Sequence, residues 1–209
     1  MYKFIHPTAF MALLTIASAA PAADSGFYFG ASIGQADSNF TGDIHQSLVE
    51  EGFSVVSLSL DNTDTGWKLF AGYAFNAYLA AEFSYVDLGQ AGGDIVIGGR
   101  IPGRINTTMD MDGVNLGLKL SYPFDDQFSA FAKLGALLWN ATATANANLS
   151  VGVGTSSQKD SGTDLSYGLG LSYAFTAHVS IRGDWDRYRL GSDADADVNL
   201  WSIGVQYLF

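Results

Sequence analysis

His178-Val179-Ser180 places an imidazole and a hydroxyl two residues apart, the pairing a hydrolase uses to activate a nucleophile. On a strand both would point inward on one face, yet no carboxylate is placed to orient the His. Asp193-Ala194-Asp195-Ala196-Asp197 could hold Ca²⁺, but it lacks the ligand series of a dedicated calcium loop and reads as a solvated acidic loop. Gly152-Val153-Gly154 and Gly168-Leu169-Gly170 are not phosphate loops, because no helix follows either. None of these commits the chain to a catalytic residue, a metal or a cofactor. A second set depends on where its side chains point. Glu82, Lys119, Lys133, Arg182 and Asp184 sit among small and apolar residues. In an enclosed space such charges must pair to be tolerated.

Alternation decides which way they point, because side chains on a strand change face at every residue. Val114, Leu116, Leu118, Leu120, Tyr122 and Phe124 lie on one face, against Gly113, Asn115, Gly117, Lys119 and Ser121 on the other. The same reading predicts strands over about 26–35, 66–75, 78–88, 113–124, 127–140, 163–175 and 178–190, and a last one through Trp201 to Phe209. The five charges all fall on the face opposite the apolar one. Asn76-Ala77, Asp125-Asp126 and Thr176-Ala177 make short turns, and four longer loops alternate with them. The runs 53–60, 94–97 and 143–151 alternate too and are expected as β-hairpins beyond the main strands; 43–51 is expected as a short helix.

One motif recurs at the strand ends. Tyr73-Ala74-Phe75, Tyr122-Pro123-Phe124, Tyr173-Ala174-Phe175 and Tyr207-Leu208-Phe209 each close an apolar face. Eight residues earlier stand Trp67, Tyr167 and Trp201, with Leu116 as the exception; Trp185 joins this second level. Eight residues of tilted strand span roughly 20 Å, close to the apolar band of a membrane barrel with its two aromatic girdles. Tyr73, Phe75, Tyr122, Phe124, Tyr173, Phe175, Tyr207 and Phe209 are thus expected as the periplasmic girdle, and Trp67, Tyr167, Trp185 and Trp201 as the outer one.

Composition agrees. The chain has 209 residues, 24 of them Gly, with 13% aromatic and only 15% charged residues, and no Cys. Gly and aromatics without helical stripes favour an all-β barrel. The net charge of −11 argues against nucleic acid, which needs clustered Lys and Arg. Residues 1–22 read as a secretory signal: Lys3 is its only charge, 9–20 is apolar or small, and cleavage is expected after Ala22 or Ala23. The mature chain, 23–209, is then one domain. The fold expected is an eight-stranded antiparallel up-and-down transmembrane β-barrel, monomeric, in the outer membrane of a Gram-negative bacterium.

Gly72-Tyr73 through Tyr85, Leu118-Lys119-Leu120-Ser121-Tyr122-Pro123, Lys133-Leu134-Gly135 and Arg182 through Trp185 resemble the transmembrane domain of the OmpA family. Ser202 to Phe209 resembles the family's C-terminal signal, which implies recognition by the barrel assembly machinery. The resemblance covers nearly all of the mature chain but not the family's peptidoglycan-binding domain, so cell-wall tethering is not carried over. It implies an interior charge cluster that blocks or gates the lumen, with Glu82, Lys119 and Arg182 at matching positions. One acidic member of that cluster aligns with Ser172. His178-Val179-Ser180 also resembles the His-x-Ser pair of outer-membrane lipid hydrolases, but it lies at the opposite leaflet from lipid A.

Three readings of function follow. The first is a barrel with a side-chain-filled lumen and a structural or adhesion-like surface role, its loops meeting an extracellular protein. The second is a narrow diffusion pore, and the most remote is a lipid hydrolase. Arg187 and Arg189 share the outward face with Trp185 about ten residues above the turn, where a strand leaves the hydrocarbon. They are expected to contact lipopolysaccharide phosphates, or else to pair with Asp193 or Asp195.

Overall fold

Extended runs that are apolar on one face leave rows of N–H and C=O groups that only a closed sheet can pair throughout in lipid. In the computed structural model, which describes residues 25–38, 54–99, 102–191 and 196–209, the sheet closes on itself. Its strands are β1 (Gly26–Ser38), β2 (Ser54–Asp61), β3 (Thr63–Ala74), β4 (Leu79–Gly98), β5 (Gly103–Pro123), β6 (Phe128–Leu149), β7 (Gly152–Ala174), β8 (Val179–Leu190) and β9 (Ala196–Leu208). β1 pairs with β9 and with β3; β4 pairs with β3 and with β5. Asn62 alone separates β2 from β3, and both lie along β4, so they are two lengths of one stave. The result is an eight-stranded antiparallel up-and-down barrel.

The three short turns share one device. Asn76 Oδ1 accepts the N–H groups of Tyr78 and Leu79 at 2.8 and 2.9 Å. Asp125 Oδ1 accepts those of Gln127 and Phe128 at 2.8 and 2.6 Å. Thr176 Oγ1 accepts those of His178 and Val179 at 3.2 and 3.0 Å. A short side chain with an acceptor oxygen thus stands in for the backbone at each reversal. The Phe128 and Gln127 N–H groups hold the Asp125 carboxyl below its usual range.

At the other end the strands run further than alternation at the aromatic levels suggests. β4–β5 pairing continues to Ile97↔Gly103 and β6–β7 pairing to Leu149↔Gly152. Two of the expected outer hairpins are therefore continuations of the staves. The third run does form a strand, β2, but it pairs with β4 and not with itself. The helix expected over 43–51 lies outside the described residues. β4 absorbs one extra residue between Asp87 and Gln90. Gly89 takes φ 71 there, and a Cβ on it would press against the Asp64 carboxylate at 2.7 Å.

Pairing of β5 with β6 is unbroken from Gly103↔Leu149 to Pro123↔Ser129, so facing is preserved along both. Near the short turns the outward residues are Leu116, Leu118, Leu120, Leu134 and Leu138, all largely exposed. Toward the tips the same face carries Arg104, Asn106, Thr108, Asn146 and Asn148, while Ile105, Met109, Ala141 and Ala145 turn inward. The apolar face changes sides because the medium outside changes from hydrocarbon to water.

Candidate functional site

β8 contributes the centre of the interior cluster, since Arg182, Asp184 and Asp186 alternate with Ile181, Gly183 and Trp185 and all point inward. Arg182 is 1% exposed. Its Nη1 donates to Glu82 Oε2 of β4 at 2.8 Å, while Nε and Nη2 donate to the Asp184 oxygens at 3.0 and 2.7 Å. This is the planar fork that a carboxylate matches. Lys133 of β6 bridges Asp184 at 2.6 Å and Asp186 at 2.5 Å. Lys68 of β3 binds Asp186 as well and lies 3.3 Å from Asp184. Tyr28 of β1 donates to Glu82 at 3.0 Å. The guanidinium of Arg182 also lies 4.2 Å from the centre of the Phe70 ring and 4.8 Å from that of Phe131.

Four of the five interior charges singled out from the sequence meet here: Glu82, Lys133, Arg182 and Asp184. Lys119 stands apart. Its ammonium sits over the Tyr28 ring at 4.6 Å and the Phe131 ring at 5.4 Å, with no carboxylate in ion-pair reach among the described residues. The Tyr28 ring beneath it carries the hydroxyl that donates to Glu82. Lys68 and Asp186 complete the cluster without having been singled out, although their parity had them facing inward. Glycines make room: a Cβ at Gly170 would collide with the Phe131 ring, and one at Gly168 with the Asp186 carboxylate.

On the long-loop side of these charges the interior is apolar. Val86, Leu137, Val198 and Leu200 are 0% exposed, packed with Leu88, Met111, Tyr188 and Leu190. Above this plug Asp164 accepts the Trp139 indole N–H at 2.7 Å and the Gly191 N–H at 2.9 Å.

Outside, each Tyr-x-Phe folds into an edge-on ring pair, with centroids 5.4, 5.3, 5.1 and 5.2 Å apart for Tyr73–Phe75, Tyr122–Phe124, Tyr173–Phe175 and Tyr207–Phe209. Phe27, Phe29 and Phe128 join this level, against Tyr73, Phe209 and Phe124. At the far level Trp185 meets Tyr167 and Trp201, each at 6.1 Å, and Trp67 meets Tyr85 at 5.6 Å. Arg187 binds Asp197 through Nε at 3.0 Å and also through Nη2, and Arg189 lies 3.9 Å from the same carboxylate. Asp193 and Asp195, the expected loop partners, lie outside the described residues, as does most of the acidic loop.

One expectation is overturned. The His178 ring does not face inward beside Ser180. It is exposed and stacked on the outward Tyr207 at 5.7 Å, with Nδ1 2.8 Å from Leu208 O. The residue closes a turn, where strand parity no longer governs the ring, and the neighbouring aromatic offers a better surface.

The family model described as "Outer membrane protein beta-barrel domain" matches residues 8–209. Outer membrane protein A of Yersinia pseudotuberculosis serotype I (strain IP32953) is 30% identical over 211 residues, covering 96% of this chain and 53% of its own length. Outer membrane protein A of Serratia marcescens is 32% identical over 133 residues, 61% of this chain and 32% of its own. The chain thus spans about half the length, or less, of these curated relatives. Among solved structures, Ail, the attachment invasion locus protein of Yersinia pestis, matches with TM-score 0.51 and 21% identity over 88% of this chain and 99% of that one. Ail in complex with the heparin analogue sucrose octasulfate matches with TM-score 0.50. At that identity the likeness carries the fold.

Proposed function

The chain belongs to the outer-membrane β-barrel family, as an outer-membrane protein of a Gram-negative bacterium related to outer membrane protein A, and from this premise we propose that it is a non-catalytic, monomeric barrel whose role is structural and surface-interacting. The observation that carries the reading is the sheet beyond the outer aromatic level. There β2, β4, β5, β6 and β7 continue side by side, while β8 pairs with β7 only from Ser166 to Ala174. An open sheet held clear of the membrane is a surface for another protein, through its face or through the edge of β7 that no strand pairs among the described residues. The name of Ail speaks of attachment and invasion, but the surface role proposed here rests on the sheet. Closure supports the monomer reading, since one chain pairs every stave at the membrane level.

The test is binding to host cells or extracellular matrix by bacteria bearing the full protein or a variant with the β4–β5 and β6–β7 tips replaced by short turns. Binding should fall to the level of cells lacking the protein. Equal binding by the shortened barrel would exclude the sheet as the contact surface.

We also propose that residues 1–22 act as the export signal and that the C-terminal strand engages the assembly machinery. Sequencing the N-terminus of the exported protein should place it at Ala23 or Asp24.

A further inference from the structure

The outward face of the extended strands forms a ladder of short polar side chains. Asp94, Asn106, Asn146 and Thr155 stand opposite one another across β4 to β7, and Val96, Arg104, Asn148 and Val153 make the next row. Asn106 Nδ2 donates to Asp94 at 3.2 Å, and Thr155 Oγ1 donates to Asn146 Oδ1 at 2.9 Å. Those bonds fix two amides in place and leave the Asn146 NH₂ turned to solvent. Arg104 and Asn148 are exposed and make no side-chain bond among the described residues. An open groove of about 820 Å³ lies at this corner, lined by Val96, Arg104, Asn106, Asn146, Asn148 and Leu149 among others.

We propose that this groove binds the core saccharide of the lipopolysaccharide standing around the barrel in the outer leaflet. The chemistry matches a sugar. Each amide offers donors and an acceptor side by side, which suits neighbouring hydroxyls. The Arg104 fork suits a phosphate or carboxylate on the sugar. Val96 gives the C–H face of the ring an apolar surface to cover.

Position identifies the source. Arg104, Asn106, Asn146 and Asn148 are on the same outward face of β5 and β6 that carries Leu116, Leu118 and Leu134 lower down, so the polar side of the groove continues the lipid-facing surface. Ten residues of β5, from Val114 to Arg104, rise roughly 25 Å along the membrane normal at the tilt of a barrel strand. That lifts the groove past the lipid A phosphates into the saccharide layer. Arg104 is the one guanidinium among the described residues that line the groove, in a chain of net charge −11, which favours a sparsely charged saccharide over a polysulfated glycan needing clustered cations. The inference rests on the outer-membrane location and stands apart from the proposed contacts with host proteins.

The experiment titrates the full barrel in nanodiscs with deacylated core oligosaccharide, monitored by NMR amide shifts. Shifts should map to Arg104, Asn106, Asn146 and Asn148. The triple variant R104Q/N146A/N148A should bind about tenfold more weakly or worse, as expected for lost hydrogen bonds to a charged sugar. Its heat-modifiable mobility on a gel checks folding. Should the triple variant misfold, R104Q alone must abolish the preference for phosphorylated over dephosphorylated core. No shifts with folded wild-type protein, or unchanged affinity in the variants, would overturn the proposal. So would tighter binding of a heparin fragment at the same residues.

Discussion

Arg182 holds two carboxylates from two strands with one planar group, and its charge is almost wholly removed from water. Breaking a buried pair from one side costs about 3–5 kcal/mol, because the partner keeps its charge without compensation. Arg182→Met should therefore lower stability by about that much in a urea titration of the folded barrel, whereas Lys159→Ala, on an exposed stretch of β7, should change it by about 0.5 kcal/mol or less. Lys119→Ala falls between: it removes contacts with two aromatic rings and no ion pair, worth about 1–2 kcal/mol. At the outer rim, Arg187 is held by Asp197 while Arg189 is more exposed. Their proposed contact with lipopolysaccharide phosphates predicts that R187Q/R189Q weakens co-purification of lipopolysaccharide with little loss of stability. A fall in stability with co-purification unchanged would assign both Arg to Asp197 alone.

The strand that needs most from its partner is β9, because it must find β1, the strand most distant in sequence. Pairing from Tyr28↔Leu208 to Ser38↔Val198 closes the ring. Phe209 fastens the near end: its N–H donates to Phe27 O at 2.9 Å, and its ring lies 5.6 Å from that of Phe29. Deleting Phe209 should reduce the fraction of heat-modifiable, folded band in cells, beyond what loss of one exposed ring would explain. Normal folding without it would show that the seam closes unaided. By contrast, the three short turns are set by local chemistry, each needing one acceptor side chain, and carry little information about which strands meet.

For the whole molecule the decisive feature is the order of layers inside. Charges occupy the lumen toward the short turns, and an apolar plug lies between them and the long-loop end. An eight-stranded barrel is wide enough for side chains and little more. Four side chains of the plug are at 0% exposure, and the structural role proposed for the barrel takes this plug as closing the lumen. In planar bilayers the purified protein should therefore show no steady single-channel conductance. Reproducible conductance steps would instead favour the narrow-pore reading and require the plug to open.

Alternation alone determined the staves and their faces. Lys68, Lys119 and Arg182 could be placed inside, and Leu118 and Trp201 outside, because facing depends only on residue parity within one strand. The aromatic levels were legible for the same reason, since Tyr-x-Phe repeats at a fixed height on every second stave. Which charges meet was not legible. Lys133 and Asp184 are 51 residues apart in sequence yet bonded across the lumen, and that depends on register summed around the ring. The same sum left Lys119 over rings instead of a carboxylate and brought Asp186 to Lys68. His178 was misplaced because parity ends where a turn begins. The length of the outer sheet also needed the structure: above the membrane the apolar face moves inward, so a pattern read for one medium stops short where the other begins.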